Sequence, residues 1–293
     1  MDAAVGWVLT AVGVLLVLVA LRDVFHTLWH PSGQGSISKT VMVLVWRLSR
    51  RFGGRGRQLS GPVGMAAVMG SWGGLIVLGY MLIYWPHLPE EFLYSSGLNA
   101  DAPGHVVEAL YVSVVTVATL GYGDIVPTST WLRMVSPLQG LIGFALLTAA
   151  VSWVLQVYPA LNRRRVLALQ LSAMEQTRTR EALSNMAGTA AARLLQDVST
   201  GIAQARIDLT QYSETYFFRD TSPQTSLALT VGYAHRLAET AQGAAAAEVR
   251  QAGAILAASV HDLAEFLDGQ FLHTGEDTSA VLSAYGEDQA LPS

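Results

Sequence analysis

Apolar residues gather in long unbroken runs, not at the periods of water-facing helices or strands. The first run, Ala3 to Leu21, has 19 residues and no charge. At 1.5 Å rise per residue it makes about 28 Å of helix, close to the roughly 30 Å hydrocarbon thickness of a bilayer. Met1-Asp2 stands where a signal peptide carries basic residues, and the apolar core is too long for one. The pattern predicts a retained transmembrane helix that continues through Arg22 to Trp29 and stops at Pro31. Charge-free runs at about Pro62–Trp85 and Met134–Leu161 predict two more spans. Between them Val106–Val117, apolar but for Glu108, covers only about 18 Å in its twelve residues. Backbone that breaks helix inside lipid is tolerated only where protein buries it or water lines it. This piece is therefore predicted to be re-entrant: a half-helix enters and a non-helical strand returns.

From Arg163 the pattern changes to helical spacing rich in Ala, Leu, Gln, Arg and Glu. Helices are expected over about 163–183, 187–213, 223–243 and 246–272, with breaks near Gly188, Ser222-Pro223 and Gly243. Leu194, Val198, Ile202, Ala205 and Leu209 form one stripe, and Ala254, Ile255, Val260, Leu263 and Leu267 a less regular one. Both predict core faces of a helical bundle. The fold class is an all-α membrane protein with three transmembrane helices, a re-entrant helix and loop, and a C-terminal helical domain. The expected division is 1–30 first span, 31–61 basic loop with an interfacial helix, 62–161 re-entrant unit with its flanking spans, 162–274 helical bundle, and 275–293 mobile acidic tail.

Composition agrees with the runs: 51% of residues are hydrophobic and 14% charged, where a soluble domain carries about 25% charged. The charges set orientation. Residues 22–61 carry Arg22, Lys39, Arg47, Arg50, Arg51, Arg55 and Arg57 against Asp23 alone. Residues 86–110 have no Lys or Arg but hold Glu90, Glu91, Asp101 and Glu108, and Arg163–Arg165 follow the third span. The positive-inside rule puts the N-terminus outside, the 22–61 loop and the C-terminal domain in the cytoplasm, and the re-entrant piece on the outer side of a plasma membrane. The apolar Thr40–Trp46 stretch is too short to span and predicts an interfacial helix, at which Lys39, Arg47, Arg50 and Arg51 are positioned to meet anionic lipid. A net charge of −4 argues against a nucleic-acid binder, and the absence of cysteine excludes disulfides and thiolate chemistry. No nucleophile–base constellation points to an enzyme.

The chemistry lies at Thr119–Asp124. A monovalent cation sheds its water only if protein oxygens replace it at matched spacing, as a stack of backbone carbonyls does. Aiming successive carbonyls one way needs alternating backbone twist, and left-handed twist is cheap only for glycine. Gly121 and Gly123 sit at that alternate spacing, and Thr119 adds a hydroxyl as the innermost ligand. Tyr122 is expected to point away from the ion and wedge against the half-helix.

The run Thr116–Pro127, reading TVATLGYGDIVP, resembles the selectivity filter of the potassium-channel pore-domain family. The resemblance covers about residues 62–161 and adds a first span that the minimal two-helix channel lacks. It implies potassium ions held at Thr119, Leu120, Gly121 and Tyr122, with Thr116, Gly123, Asp124 and Tyr111 supporting the filter. No organic cofactor is implied. Leu120 replaces the usual valine and Ala118 a frequent second threonine, and neither change removes an ion ligand. One filter strand per chain implies a homotetramer with a fourfold pore. Gly140 and Gly143 are candidates for a gating hinge or for close packing, and Phe144, Leu147, Val151 and Leu155 share a face that lines the pore or packs on the outer helix.

The function so implied is passive potassium-selective conduction, gated at the inner helix or by the helical domain. The alternatives are a cation channel of weak selectivity, a transporter subunit with a filter-like loop, and a membrane sensor whose helical domain is the active part. His105, ahead of the half-helix, is a candidate external pH sensor. His261 and Glu265, one turn apart, read as an exposed pair more readily than as metal ligands. Tyr216, Phe217 and Phe218 with Arg219 read as a packing cluster.

Overall fold

The computed structural model of the chain describes residues 2–29, 35–51, 58–98 and 104–290. The expected helix stop at Pro31 and the charges at Arg55, Arg57 and Asp101 lie outside them. Among the described residues, three helices are long and apolar enough to cross a membrane. They are α1 (Ala3–Leu28), α3 (Ser60–Tyr84) and α5 (Thr130–Gln176), with α2 (Ser36–Ser49) between the first two and the short α4 (His105–Val117) between the last two. Helix α5 has 47 residues, or about 70 Å, more than twice what a bilayer needs. The third span and the first helix beyond Arg163 are thus one element. The membrane run supplies the apolar half, and helix-favouring residues carry it on to Gln176 without a Gly or Pro to stop it after Pro159.

The chain divides into two compact units. The first comprises Met1–Val41 and Met65–Leu155. In it α1 buries Gly6, Thr10, Gly13, Val17 and Ala20, a stripe at steps of three and four. A Cβ on Gly13 would stand 2.4 Å from the Gly79 carbonyl oxygen, and one on Gly79 would stand 2.8 Å from that of Gly13. Glycine on both helices is what lets their backbones touch, as small residues do in membranes. Around α3, Ile76, Tyr80, Tyr84, Phe92, Val112 and Leu132 form the core that seats α4 and the start of α5. Two short strands, β1 (Phe92–Tyr94) and β2 (Ile125–Pro127), pair antiparallel with Tyr94 opposite Ile125.

The second unit comprises Met42–Gly64 and Gln156–Ser293. Its bundle holds α6 (Gly188–Gln211), α7 (Leu227–Gln242), α8 (Ala247–Leu267) and α9 (Thr278–Gln289). The α6 stripe is confirmed at Val198, Ile202, Ala205 and Leu209, but its first member is the buried Leu195 and not Leu194. On α8, Ala254 and Ile255 face outward, and Ala252, Leu256, Val260, Leu263 and Leu267 form the core face. The expected mobile tail is corrected over Thr278–Gln289, which form a packed helix. Asp277 caps α9 by accepting from the Ala280 N–H, and Val281, Leu282 and Tyr285 are buried against the bundle. Three buried apolar residues were enough to dock an otherwise polar helix.

The expected loop domain 31–61 is also divided, because the far half of α2 belongs to this bundle. Trp46 meets Phe217 edge-on at 5.5 Å, and the Arg219 guanidinium lies 3.8 Å over its ring. Arg50 is ion-paired with Asp288. Tyr216 stacks on Phe271 at 4.0 Å, so the aromatic cluster is a packing centre. His261 meets the Thr278 hydroxyl at 2.9 Å, across to the start of α9.

Candidate functional site

Helix α4 ends at Val117, and the chain then leaves helical geometry in a regular way. Thr119, Gly121 and Gly123 have φ of 56°, 54° and 76°, and no other residue from 118 to 124 is left-handed. Every second residue is therefore left-handed, the alternation that turns successive carbonyls to one side. For the two glycines this is cheap, whereas for Thr119 it costs about 1–3 kcal/mol. The strain is held from behind: the Thr119 N–H donates to the Thr116 carbonyl at 3.0 Å and the Leu120 N–H to the Val115 carbonyl at 3.0 Å. The C-terminal end of α4, the negative end of its dipole, directly precedes this strand.

On the other side the strand is tied by Asp124. Its carboxylate accepts a 2.6 Å hydrogen bond from the Tyr111 hydroxyl on α4, and its carbonyl accepts from the Ser95 N–H at 2.8 Å. The Thr128 N–H donates to the Glu91 carbonyl at 2.8 Å beyond β2. Glu91 also takes the Trp131 indole N–H at 3.1 Å and lies 3.2 Å from His87. His105 lies 3.1 Å from Glu108, which accepts from the Tyr94 hydroxyl at 2.8 Å.

Thr116 lies in the last turn of α4, directly ahead of the strand. Its hydroxyl turns back to the Val112 carbonyl at 2.7 Å within its own helix, so only its backbone reaches the strand. Tyr122 makes no wedge within the chain, because its ring is 67% exposed. A cavity of about 290 Å³ behind the strand is lined by Tyr111, Val115, Tyr122, Ser136 and Gly140 among others.

Gly143 is where α5 passes the end of α4. A Cβ there would stand 2.0 Å from the Val117 carbonyl oxygen, so close packing requires glycine. Gly140 has no such need, its nearest neighbour being the Thr116 oxygen at 3.8 Å. Phe144, Leu147, Val151 and Leu155 are all exposed in the single chain and do not pack on α1 or α3.

Sequence reasoning passed over the residues that fix α4. Gln139, fully buried on α5, donates to the Ser113 carbonyl at 2.9 Å and accepts from the Tyr84 hydroxyl at 2.9 Å. Ser113 donates to the Val77 carbonyl at 2.8 Å. Three helices are thereby pinned at one point. The signal was available: Gln139 and Ser113 are isolated polar residues in apolar helices, where each must find a partner.

A left-handed alternation thus follows a short apolar helix, framed by helices long and apolar enough to cross a membrane. Residues 74–158 match a family model described as ion channel. Over those residues the chain is similar to that ion-channel family. The chain is 37% identical over 91 residues to two pore potassium channel c of Oryza sativa subsp. japonica, covering 28% of this chain and 19% of that one. It is 32% identical over 82 residues to intermediate conductance calcium-activated potassium channel protein 4 of Rattus norvegicus, covering 27% and 19%. Against uncharacterized membrane protein YdjJ of Bacillus subtilis (strain 168) it is 26% identical over 162 residues, covering 53% and 46%. The chain spans less than half the length of each of these relatives. No solved structure matches it.

Proposed function

We propose that the protein is the subunit of a homotetrameric, potassium-selective channel that conducts passively across a plasma membrane. The observation that carries the reading is the left-handed alternation at Thr119, Gly121 and Gly123. In this reading the carbonyls of Thr119, Leu120, Gly121 and Tyr122, with the Thr119 hydroxyl, replace the water shell of potassium. Gly123, Asp124, Tyr111 and the Thr116 carbonyl hold the strand in place. One strand supplies a quarter of a ring. Leu120 at 55% and Tyr122 at 67% exposure leave apolar surface that neighbouring subunits would cover, which supports four copies around an axis.

Phe144, Leu147, Val151 and Leu155 then line the cavity, with Leu155 as a hydrophobic constriction at the cytoplasmic end. Gly143 serves packing in this arrangement, and Gly140 is the candidate left for a hinge. The N-terminus lies outside, and the α2 segment and the bundle lie in the cytoplasm, as the loop charges support. Lys39, Arg47 and Arg51 are the candidates for anionic lipid, while Arg50 already has Asp288 as a partner.

The deciding experiment is the reversal potential of purified protein in a planar bilayer with potassium on one side and sodium on the other. A reversal near the potassium equilibrium potential is expected, and a reversal near zero overturns selectivity. Native mass measurement should give four chains. A second reading, weak selectivity, draws on one observation: with Ala118 and the inward-turned Thr116 hydroxyl, no side-chain oxygen from the end of α4 braces the strand. The same reversal potential separates the two.

A further inference from the structure

An acid within a membrane helix is expensive and is retained where it has a task. Asp23, in the last two turns of α1, is 3% exposed. Its carboxylate accepts four hydrogen bonds: from the Ile37 N–H at 2.8 Å, the Ser38 N–H at 3.1 Å, the Ser38 hydroxyl at 2.5 Å and the Trp72 indole N–H at 2.9 Å. Every partner is a donor, so Asp23 acts purely as an acceptor. It caps the first turn of α2 from a different helix, and it does so while holding α3. The fit is tight, since a Cβ on Gly35 would stand 2.3 Å from the Asp23 Oδ1. Thr27 closes the joint by donating to the Ser38 hydroxyl at 2.9 Å and accepting from the Gly35 N–H at 3.1 Å.

The joint does not stop at α3. The ring of Trp72, 1% exposed, lies 5.5 Å from that of Trp153 on α5, itself 3% exposed. Trp153 sits two residues from both Val151 and Leu155. Two residues turn a helix by about 200°, so Trp153 and that pair point to opposite faces. Any rotation of α5 that moves Val151 and Leu155 must move Trp153 against Trp72. An indole wedged on a ring and tied to a buried carboxylate resists such rotation, because both contacts are lost together.

We propose that Asp23, acting through Trp72 and Trp153, is a positioning residue that sets the rotation of the pore-lining helix, so that the start of α2 controls pore opening. This rests on the channel reading, in which α5 lines the pore. The experiment is single-channel recording in planar bilayers of wild type, Ser38→Ala, Trp72→Phe and the double variant. Trp72→Phe keeps a ring against Trp153 but removes the donor to Asp23. It is expected to change the open-to-closed ratio by roughly tenfold, the usual scale of coupling between sites. Ser38→Ala should shift the ratio in the same direction, and the double variant should match Trp72→Phe alone within about twofold. Unitary conductance and reversal potential should stay at wild-type values, which loss of folding would not allow.

Ratios within about twofold of wild type in both single variants, or effects that multiply in the double variant, overturn the proposal. If Trp72→Phe fails to assemble, the cycle of Ser38→Ala with Trp153→Phe reads the same non-additivity. A wild type that carries no potassium current overturns the channel reading and this proposal with it. A conducting wild type whose variants behave independently overturns this proposal alone.

Discussion

The hydroxyl of Tyr111 on α4 donates to Asp124, at the end of the strand that begins at Thr119. A hydrogen bond to a charged acceptor contributes about 1.5–3 kcal/mol, and here the strand it steadies carries Thr119 in a strained left-handed state. Tyr111→Phe is expected to lower the potassium-over-sodium permeability ratio by roughly tenfold, read from bi-ionic reversal potentials. The two glycines of α5 make a second pair of outcomes. Gly143→Ala must displace the Val117 carbonyl and is expected to abolish current and tetramer yield, whereas Gly140→Ala meets only an ordinary contact and should retain both. Glu214 is a buried residue whose ionisation responds to pH. Burial pushes its carboxyl from the ordinary 4.5 up to about 7. The folded chain then keeps a proton that the unfolded chain releases, so stability falls as pH rises from about 4.5 through 7. The full cost above that window is about 3 kcal/mol. Glu214→Gln should remove this loss, so urea midpoints of wild type and variant should converge near pH 4.5 and separate by pH 8, with the variant the more stable.

At the scale of elements, the sequence was most legible where one physical requirement decided the outcome. Membrane thickness fixed α1, α3 and the first half of α5, and the shortness of Val106–Val117 fixed α4 as a non-spanning helix. It was least legible where the partner lay far along the chain. Arg163, Arg164 and Arg165 read from sequence as an orientation signal, and the structure engages all three. Arg163 grips Asp208 with two bonds of 2.7 and 2.8 Å, and Arg164 donates to the Thr215 and Phe218 carbonyls, both at 2.7 Å. Arg164 and Arg165 share Asp220 at 3.2 and 2.6 Å. No local pattern announces such pairs. The off-by-one stripe on α8 has a similar cause, since alanine-rich helices offer several nearly equal apolar faces and only the packed neighbour chooses one. Arg164 and Asp220 are both buried, so removing one charge strands the other. Asp220→Asn is expected to destabilise the helical bundle by roughly 3–5 kcal/mol, seen as lost hydrogen-exchange protection over residues 188–267.

At the scale of the whole molecule, two kinds of exposed apolar surface must be told apart, and a single chain shows them alike. Leu15 and Leu18 on α1 are exposed, and so are Leu147, Val151 and Leu155 on α5. Lipid covers the first group in any membrane protein, whereas the second faces a water-filled cavity if four chains surround an axis. If four chains surround an axis, the face of α5 turned toward it is the one opposite Trp153, whose ring packs on Trp72. A charge separates the environments. An aspartate facing lipid near mid-membrane costs about 3 kcal/mol in each chain, while one facing a hydrated cavity costs little and wets a constriction that would otherwise empty. Leu155→Asp is therefore expected to assemble as well as wild type, by native mass measurement, and to hold the pore open in bilayers. Leu15→Asp, the control on the lipid side, should lower membrane yield. Loss of assembly by Leu155→Asp, or an unchanged open probability with normal assembly, would move the pore to another face of α5.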